Sequence, residues 1–168
     1  MNAKLVEDIN APFSGCQPFD KSASGLRKAH FVSGDSQSDR LLIRYWVRDS
    51  DQHIVGRVGF GTLAQGPPGF VHGGGLSAVL DEVMGITGWI GGYPVLAAEL
   101  NVQFRRSVPL QTCMNFHGWI EETKGRKVRI RSVLLDDKGD RYVDARGLFM
   151  VLPESRMAEL KQRFLEAD

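Results

Sequence analysis

Between Val58 and Ala98 the only formally charged side chains are Asp81 and Glu82, adjacent in an apolar stretch. An unpaired buried carboxylate is costly or has its pKa raised, so this position demands either internal ion pairs and backbone hydrogen bonds or a catalytic acid or base tuned by its surroundings. Successive helical residues point about 100° apart, so the two acids face different environments. Asp81 shares its row with Ser77 and Gly85, small enough to leave room for a ligand, whereas Glu82 shares its row with Ala78 and Ile86. Asp81 is therefore the candidate for chemistry.

His72-Gly73-Gly74-Gly75 precedes this stretch. At a helix N-terminus, unpaired backbone N–H groups and the positive dipole end form a credible oxyanion hole, and glycines let a ligand oxygen approach them. A flexible turn entering a helix explains the glycines equally well. Gly73 and Asp81 are eight positions apart, ~12 Å along a helix axis, too far for both to touch one carbonyl. If both serve one reaction, they come from two subunits across a two-fold interface. Arg105-Arg106 and Gly125-Arg126-Lys127 are local phosphate candidates, or else solvated basic turns.

Other motifs fail. Gly59-Phe60-Gly61-Thr62-Leu63-Ala64 has the form GxGxxA but runs into Pro67-Pro68 rather than a helix. There is no GxxxxGK[ST] loop and no GxSxG elbow. His30, His53 and His117 are expected to stand alone as structural or solvated residues. Cys16 and Cys113 lack metal-ligand spacing, so no metal is expected and both read as reduced thiols.

These groups need a frame. Leu41 to Arg48 and Ile54 to Phe60 alternate about an Asp49-Ser50-Asp51 turn, predicting a hairpin. Leu76, Val79, Leu80, Val83, Met84 and Ile86 predict one helix over about Gly74 to Ile90, stopped by Gly91-Gly92 and Pro94. It is apolar nearly all round and must be enclosed. Four runs follow: a strand with Leu96, Ala98, Leu100, Val102 and Phe104 on one face, then Thr112–Glu122, Arg126–Leu135 and Arg141–Val151, whose short connections force antiparallel pairing. Residues 1–28 read as an irregular arm, and Pro153 starts a terminal helix over 153–168 with Met157, Leu160, Phe164 and Leu165 on one face. The order predicts a single α+β domain over 1–168, a hotdog fold with a curled antiparallel sheet wrapped around one long central helix.

With 168 residues, 42% hydrophobic and a net charge of +1, the chain has enough apolar material for a core and no electrostatic footprint for nucleic acid or an anionic membrane. The uncharged stretch from Val58 to Leu80 is broken by Gly66-Pro67-Pro68-Gly69 and Gly73-Gly74-Gly75, which excludes a spanning helix. Met1 to Asn10 lacks the apolar segment of a secretory signal, so cytoplasm is the expected compartment.

The run Gly66-Pro67-Pro68-Gly69-Phe70-Val71-His72-Gly73-Gly74, with Leu80-Asp81-Glu82-Val83-Met84-Gly85, resembles the acyl-CoA thioesterases of the hotdog superfamily, in particular the PaaI-like and THEM4-like group. That group opens its central helix with His-Gly-Gly and carries an acid nine positions after the His, the spacing of His72 to Asp81. The similarity runs from about Val55 to Leu152, through Glu99–Arg106 and Gly125-Arg126-Lys127, and touches Gly15-Cys16 and Gly25-Leu26. It implies that the Gly73 N–H polarises the thioester carbonyl, with His72 as a further catalytic residue that holds the helix entrance and the carbonyl oxygen, and Gly74 and Ser77 beside the substrate. Asp81 would be general base or nucleophile. Arg105, Arg106, Arg126 and Lys127 would bind the phosphates of coenzyme A, which enters as part of the substrate with no separate cofactor. An apolar tunnel in a homodimer or dimer of dimers would take the acyl chain. The chain departs from the group at Ala97, where relatives often have Ser or Thr, and at Gly66, where some have Asn. Those departures keep a non-catalytic acyl-CoA-binding protein as the alternative. Hydration or dehydration of an acyl thioester would need a His and acid pair, for which only His72 is available.

Overall fold

The computed structural model describes residues 1–20, 31–32 and 39–166, without the side chains of 160, 161 and 163–166. Alternating apolar positions build the strands. In β5 (Cys113–Lys124) Met114 and Phe116 point inward, and in β6 (Lys127–Leu135) Val128, Ile130 and Leu134 do so. Together with β1 (Cys16–Phe19), β2 (Leu41–Arg48), β3 (Ile54–Phe60), β4 (Val95–Phe104) and β7 (Arg141–Val151) they form one antiparallel sheet in the order β1-β2-β3-β5-β6-β7-β4. The tight turns need left-handed backbone at Gly125 (φ 57°) and Gly139 (φ 84°), as the sequence of each turn predicts.

The expected central helix is α2 (Gly73–Ile90), lying in the curl of the sheet. Its Leu76, Val79, Leu80, Val83, Met84 and Ile86 are buried against Phe60, Phe116, Ile130, Leu134 and Phe149. Each such side chain contributes about 1.5–3 kcal/mol when fully buried. The helix sits close because two facing positions lack side chains: a Cβ at Gly118 of β5 would lie 2.8 Å from Val83 Cγ1, and one at Gly88 would lie 2.6 Å from Val95 Cγ2. This is the hotdog arrangement.

Three expectations are corrected. The arm drawn as irregular contains α1 (Ala3–Asn10) and β1, with 21–28, and so Gly25-Leu26, outside the described residues. Asn2 caps α1 by accepting from the Leu5 N–H at 2.8 Å, and Leu5 and Ile9 pack on Leu42 at the outer sheet face. Two apolar residues at i and i+4 are too few to declare a helix until a surface receives them. Second, β4 does not keep one face. Pairing with β7 skips Ala98, so Val95 and Ala97 share the inner side with Leu100, Val102 and Phe104, while Leu96 faces outward. At the other end of the chain α3 (Glu154–Glu166) occupies the predicted place with Met157 half-buried, while the side chains of Leu160, Phe164 and Leu165 lie outside the described set.

Third, His53 and His117 are not isolated, and His30 lies outside the described residues. His53 Nδ1 is 2.9 Å from His117 Nε2, Arg48 Nη2 is 3.3 and 3.2 Å from the same atoms, and the Trp119 ring is 4.8 Å from that of His117. Burial first, then the charges of Arg48 and His53, push the His117 pKa down to about 4. An unfolded histidine titrates near about 6.5, so the unfolded chain takes the proton first and stability is lost as pH falls from there toward about 4. Because the ring is only half-buried, solvent screening limits the loss to on the order of 2 kcal/mol. Urea unfolding midpoints at neutral and acid pH are expected to diverge less in His117→Gln than in the parent. An unchanged difference would show that His117 is not the group responsible.

Candidate active site

The entrance of α2 is held by backbone bonds. The Gly66 N–H donates to Phe70 O at 2.9 Å, the His72 N–H to Ala64 O at 2.8 Å, and the Val71 N–H to Val108 O at 2.9 Å. A Cβ at Gly66 would lie 2.7 Å from His72 Cα, so this backbone has no room for the asparagine of some relatives. His72 is the N-cap: its Nδ1 accepts from the Gly74 N–H at 2.9 Å, which puts the ring proton on Nε2. The N–H groups of Gly75 and Leu76 go to His72 O at 2.9 and 3.2 Å. The Gly73 N–H makes no hydrogen bond among the described residues and is left as an open donor at the positive end of an 18-residue helix. Gly74, expected beside the substrate, has its donor taken by His72. The Ser77 hydroxyl donates to Gly73 O at 3.0 Å, stiffening the first turn.

Two turns further on, Asp81 and Glu82 line a mainly apolar cavity of about 330 Å³ with Gly85, Trp89, Ala97 and Phe149. The pair separates in environment, as their angular offset requires. Tyr45 of β2 donates its hydroxyl to Glu82 Oε1. The half-buried Asp81 carboxylate accepts no hydrogen bond among the described residues; burial first and the Glu82 charge second raise its pKa. Tyr45 was not legible as a site residue: nothing local to β2 announces that its hydroxyl meets a helix 37 positions later. Cys113 is no competing nucleophile, since burial pushes its thiol up to about 11.

A base must be ionised to act, so activity that depends on Asp81 is expected to rise with pH through a limb above the ordinary carboxylate range. Glu82→Gln removes the neighbouring charge and should move that limb to lower pH. A limb that stays in place when the kcat/KM profile is measured would detach Asp81 from the rate.

Gly73 and Asp81 sit at opposite ends of β4. A Cβ at Gly73 would be 3.4 Å from Phe104 Cζ, at the strand's end, whereas Asp81 shares its cavity with Leu96 and Ala97 at the start. The basic pairs divide likewise. Arg105 is ion-paired with Asp144, and Arg106 Nη1 lies 2.6 Å from Asp140 Oδ2. Arg126 Nε donates to Val151 O at 3.0 Å, and Lys127 pairs with Met150. Since Phe104 pairs with Val143, the two basic pairs are separated by roughly 23 Å of sheet, and one subunit does not unite them on one diphosphate. The larger groove on the outer face, about 670 Å³, is occupied by mutually paired charges, including Arg105–Asp144 and Arg131–Glu121. Among the described residues no three His, Cys, Asp or Glu side chains are grouped to hold a metal, and no helix is long and apolar enough to cross a membrane.

A family model described as the thioesterase superfamily matches residues 68–142, which include the α2 entrance and both acids. Acyl-coenzyme A thioesterase THEM4 of Bos taurus is 35% identical over 96 residues, covering 55% of this chain and 38% of that protein. Acyl-coenzyme A thioesterase THEM5 of Homo sapiens is 27% identical over 93 residues, with the same two coverages, 55% and 38%. The matched stretch thus spans about two-fifths of these curated relatives. Among solved structures, a thioesterase superfamily protein superimposes with a TM-score of 0.67 at 27% identity, covering 88% of this chain and 72% of that one. A Streptococcus mutans protein bound to acetyl CoA shares the fold, with a TM-score of 0.58 at 14% identity over 61% of this chain and 82% of its own.

Proposed function

We propose that this chain, a hotdog protein of the thioesterase superfamily, hydrolyses acyl-CoA thioesters to free acid and CoA at a site shared by two subunits. The observation that carries the reading is that the Gly73 N–H and the half-buried Asp81 carboxylate, neither with a hydrogen-bond partner among the described residues, stand at opposite ends of a sheet edge. Edge strand β4 exposes Leu96, Leu100 and Phe104 and has one charged residue, Glu99, an edge that invites a second strand. Antiparallel pairing of β4 with its copy about Leu100 sets Phe104 of one subunit beside Leu96 of the other. Gly73 of one chain then approaches Asp81 of the other, and Arg105 and Arg106 come toward Arg126 and Lys127, giving one diphosphate-binding cluster.

In this arrangement the thioester oxygen points at the Gly73 N–H of one subunit. Asp81 of the other takes a proton from water as the water oxygen adds to the carbonyl carbon, or its carboxylate adds directly and water releases the acid. The C–S bond breaks and the CoA sulfur takes a proton. No metal or separate organic cofactor is called for, and the reducing cytoplasm is the proposed compartment for a chain with two free thiols.

One observation favours a second reading, a non-catalytic acyl-CoA-binding protein: Ala97 presents a methyl group to the Asp81 cavity where a hydroxyl could hold the water. Thiol release from short, medium, long and aromatic acyl-CoAs, with the parent and Asp81→Ala side by side, separates the two. Activity lost in the variant supports hydrolysis. An inactive parent that binds CoA esters tightly supports the binder.

A further inference from the structure

Resting on the reading of Asp81 as the hydrolytic carboxylate, we infer that Gly85 is a specificity-determining residue that keeps open a channel for an apolar acyl group of on the order of ten non-hydrogen atoms. Gly85 lies one turn beyond Asp81 on the same cavity wall. An ideal Cβ there would meet no heavy atom of the described residues within 4 Å. The neighbouring glycines differ. A Cβ at Gly88 would be 2.6 Å from Val95 Cγ2 and one at Gly91 would be 2.6 Å from Ile120 Cδ1, so packing requires both. The backbone at 85 is ordinary helix, and glycine in a helix interior costs about 1 kcal/mol against alanine. A destabilising glycine with no φ requirement and no packing requirement among the described residues points to the cavity itself as the thing it serves.

The space it keeps is bounded by Ile86, Trp89, Val95 and Phe149, none of which hydrogen-bonds an acyl chain. At about 330 Å³ it holds roughly ten groups the size of a water, each of which takes about 30 Å³. From Asp81 to Trp89 the helix advances ~12 Å, room for a chain of comparable reach. An acetyl group fills a small part of this volume and leaves apolar wall uncovered, whereas a medium-length acyl group covers it.

The test compares kcat/KM for acetyl-CoA and decanoyl-CoA in the parent, Gly85→Ala and Gly85→Leu, with the oligomeric mass of each variant. The parent should prefer decanoyl-CoA. In Gly85→Leu the decanoyl value should fall by about 30-fold or more while the acetyl value stays within about threefold, with Gly85→Ala between. An equal fall for both esters, no fall for decanoyl-CoA, or a change of oligomeric mass in Gly85→Leu would make residue 85 a packing position and overturn the inference. A parent that cleaves neither ester refutes the hydrolytic reading instead. Calorimetric titration with the S-decyl and S-ethyl thioethers of CoA then decides the channel: selective loss of S-decyl binding in Gly85→Leu upholds it, and unchanged binding overturns it.

Discussion

Asp81→Asn is expected to lower kcat for acyl-CoA hydrolysis by about 10²–10⁴-fold, with a Tm at or above that of the parent. The amide keeps the shape of the carboxylate and cannot take a proton from water or attack a thioester. The stability half follows from the pKa. A carboxyl whose folded pKa is raised above its unfolded value contributes stability below the unfolded pKa, and that contribution is lost as pH rises through the folded one. At neutral pH the ionised Asp81 is therefore a burden on the fold, and the neutral amide relieves it. Thiol-release kinetics and thermal unfolding on the same preparation check both. A variant with full activity would end the assignment, and one with a much lower Tm would show that Asp81 supports the fold.

Gly73→Pro is expected to cost about 10²–10³-fold in kcat, the usual effect of removing one oxyanion donor, while leaving α2 intact. Gly73 is the first helical residue after the His72 cap, the position where proline is best tolerated because its N–H has no helical partner. His72, at φ −65° and ψ 132°, already has the backbone that a residue before proline prefers. A Cβ at 73 would lie 3.4 Å from Phe104 Cζ, an ordinary contact with the far end of a side chain. Because the proposed site takes Asp81 and Gly73 from different subunits, refolding Asp81→Asn and Gly73→Pro chains together should restore activity. Half the dimers are mixed and each has one intact site of two, so about a quarter of parental activity returns. Failure to recover, with mixed dimers demonstrated by mass, would put both groups of one site in the same chain.

Much of this was written in the local pattern. The spacing of Leu76, Val79, Leu80, Val83 and Met84 announces α2, the Gly125 and Gly139 turns announce the β5–β6–β7 meander, and the lone charges at 81 and 82 announce a polar demand inside an apolar helix. These signals are local because periodicity and turn chemistry act over a few residues. His72 and Asp81, nine positions apart, were legible for the same reason, being on one helix.

What depended on distant surfaces was not legible. The helix at Ala3–Asn10 exists because Leu42 and Gly59 offer its two apolar side chains a seat, and the His53–His117 pair forms because β3 and β5 lie side by side across 64 positions. The bulge at Ala98 reverses which side chains of β4 face inward, a shift no alternation pattern contains. The sequence by itself determined the β2–β3 hairpin, the central helix with the two acids on it and the β5–β6–β7 meander, through short-range spacing. Only the tertiary structure decided that Tyr45 engages Glu82, that Asp81 has no hydrogen-bond partner among the described residues, that Gly74 spends its donor on His72 while Gly73 does not, and that the basic pairs lie at opposite ends of the sheet. Those outcomes turn on which strand lies beside which and on where each backbone group finds its partner, both set by long-range packing.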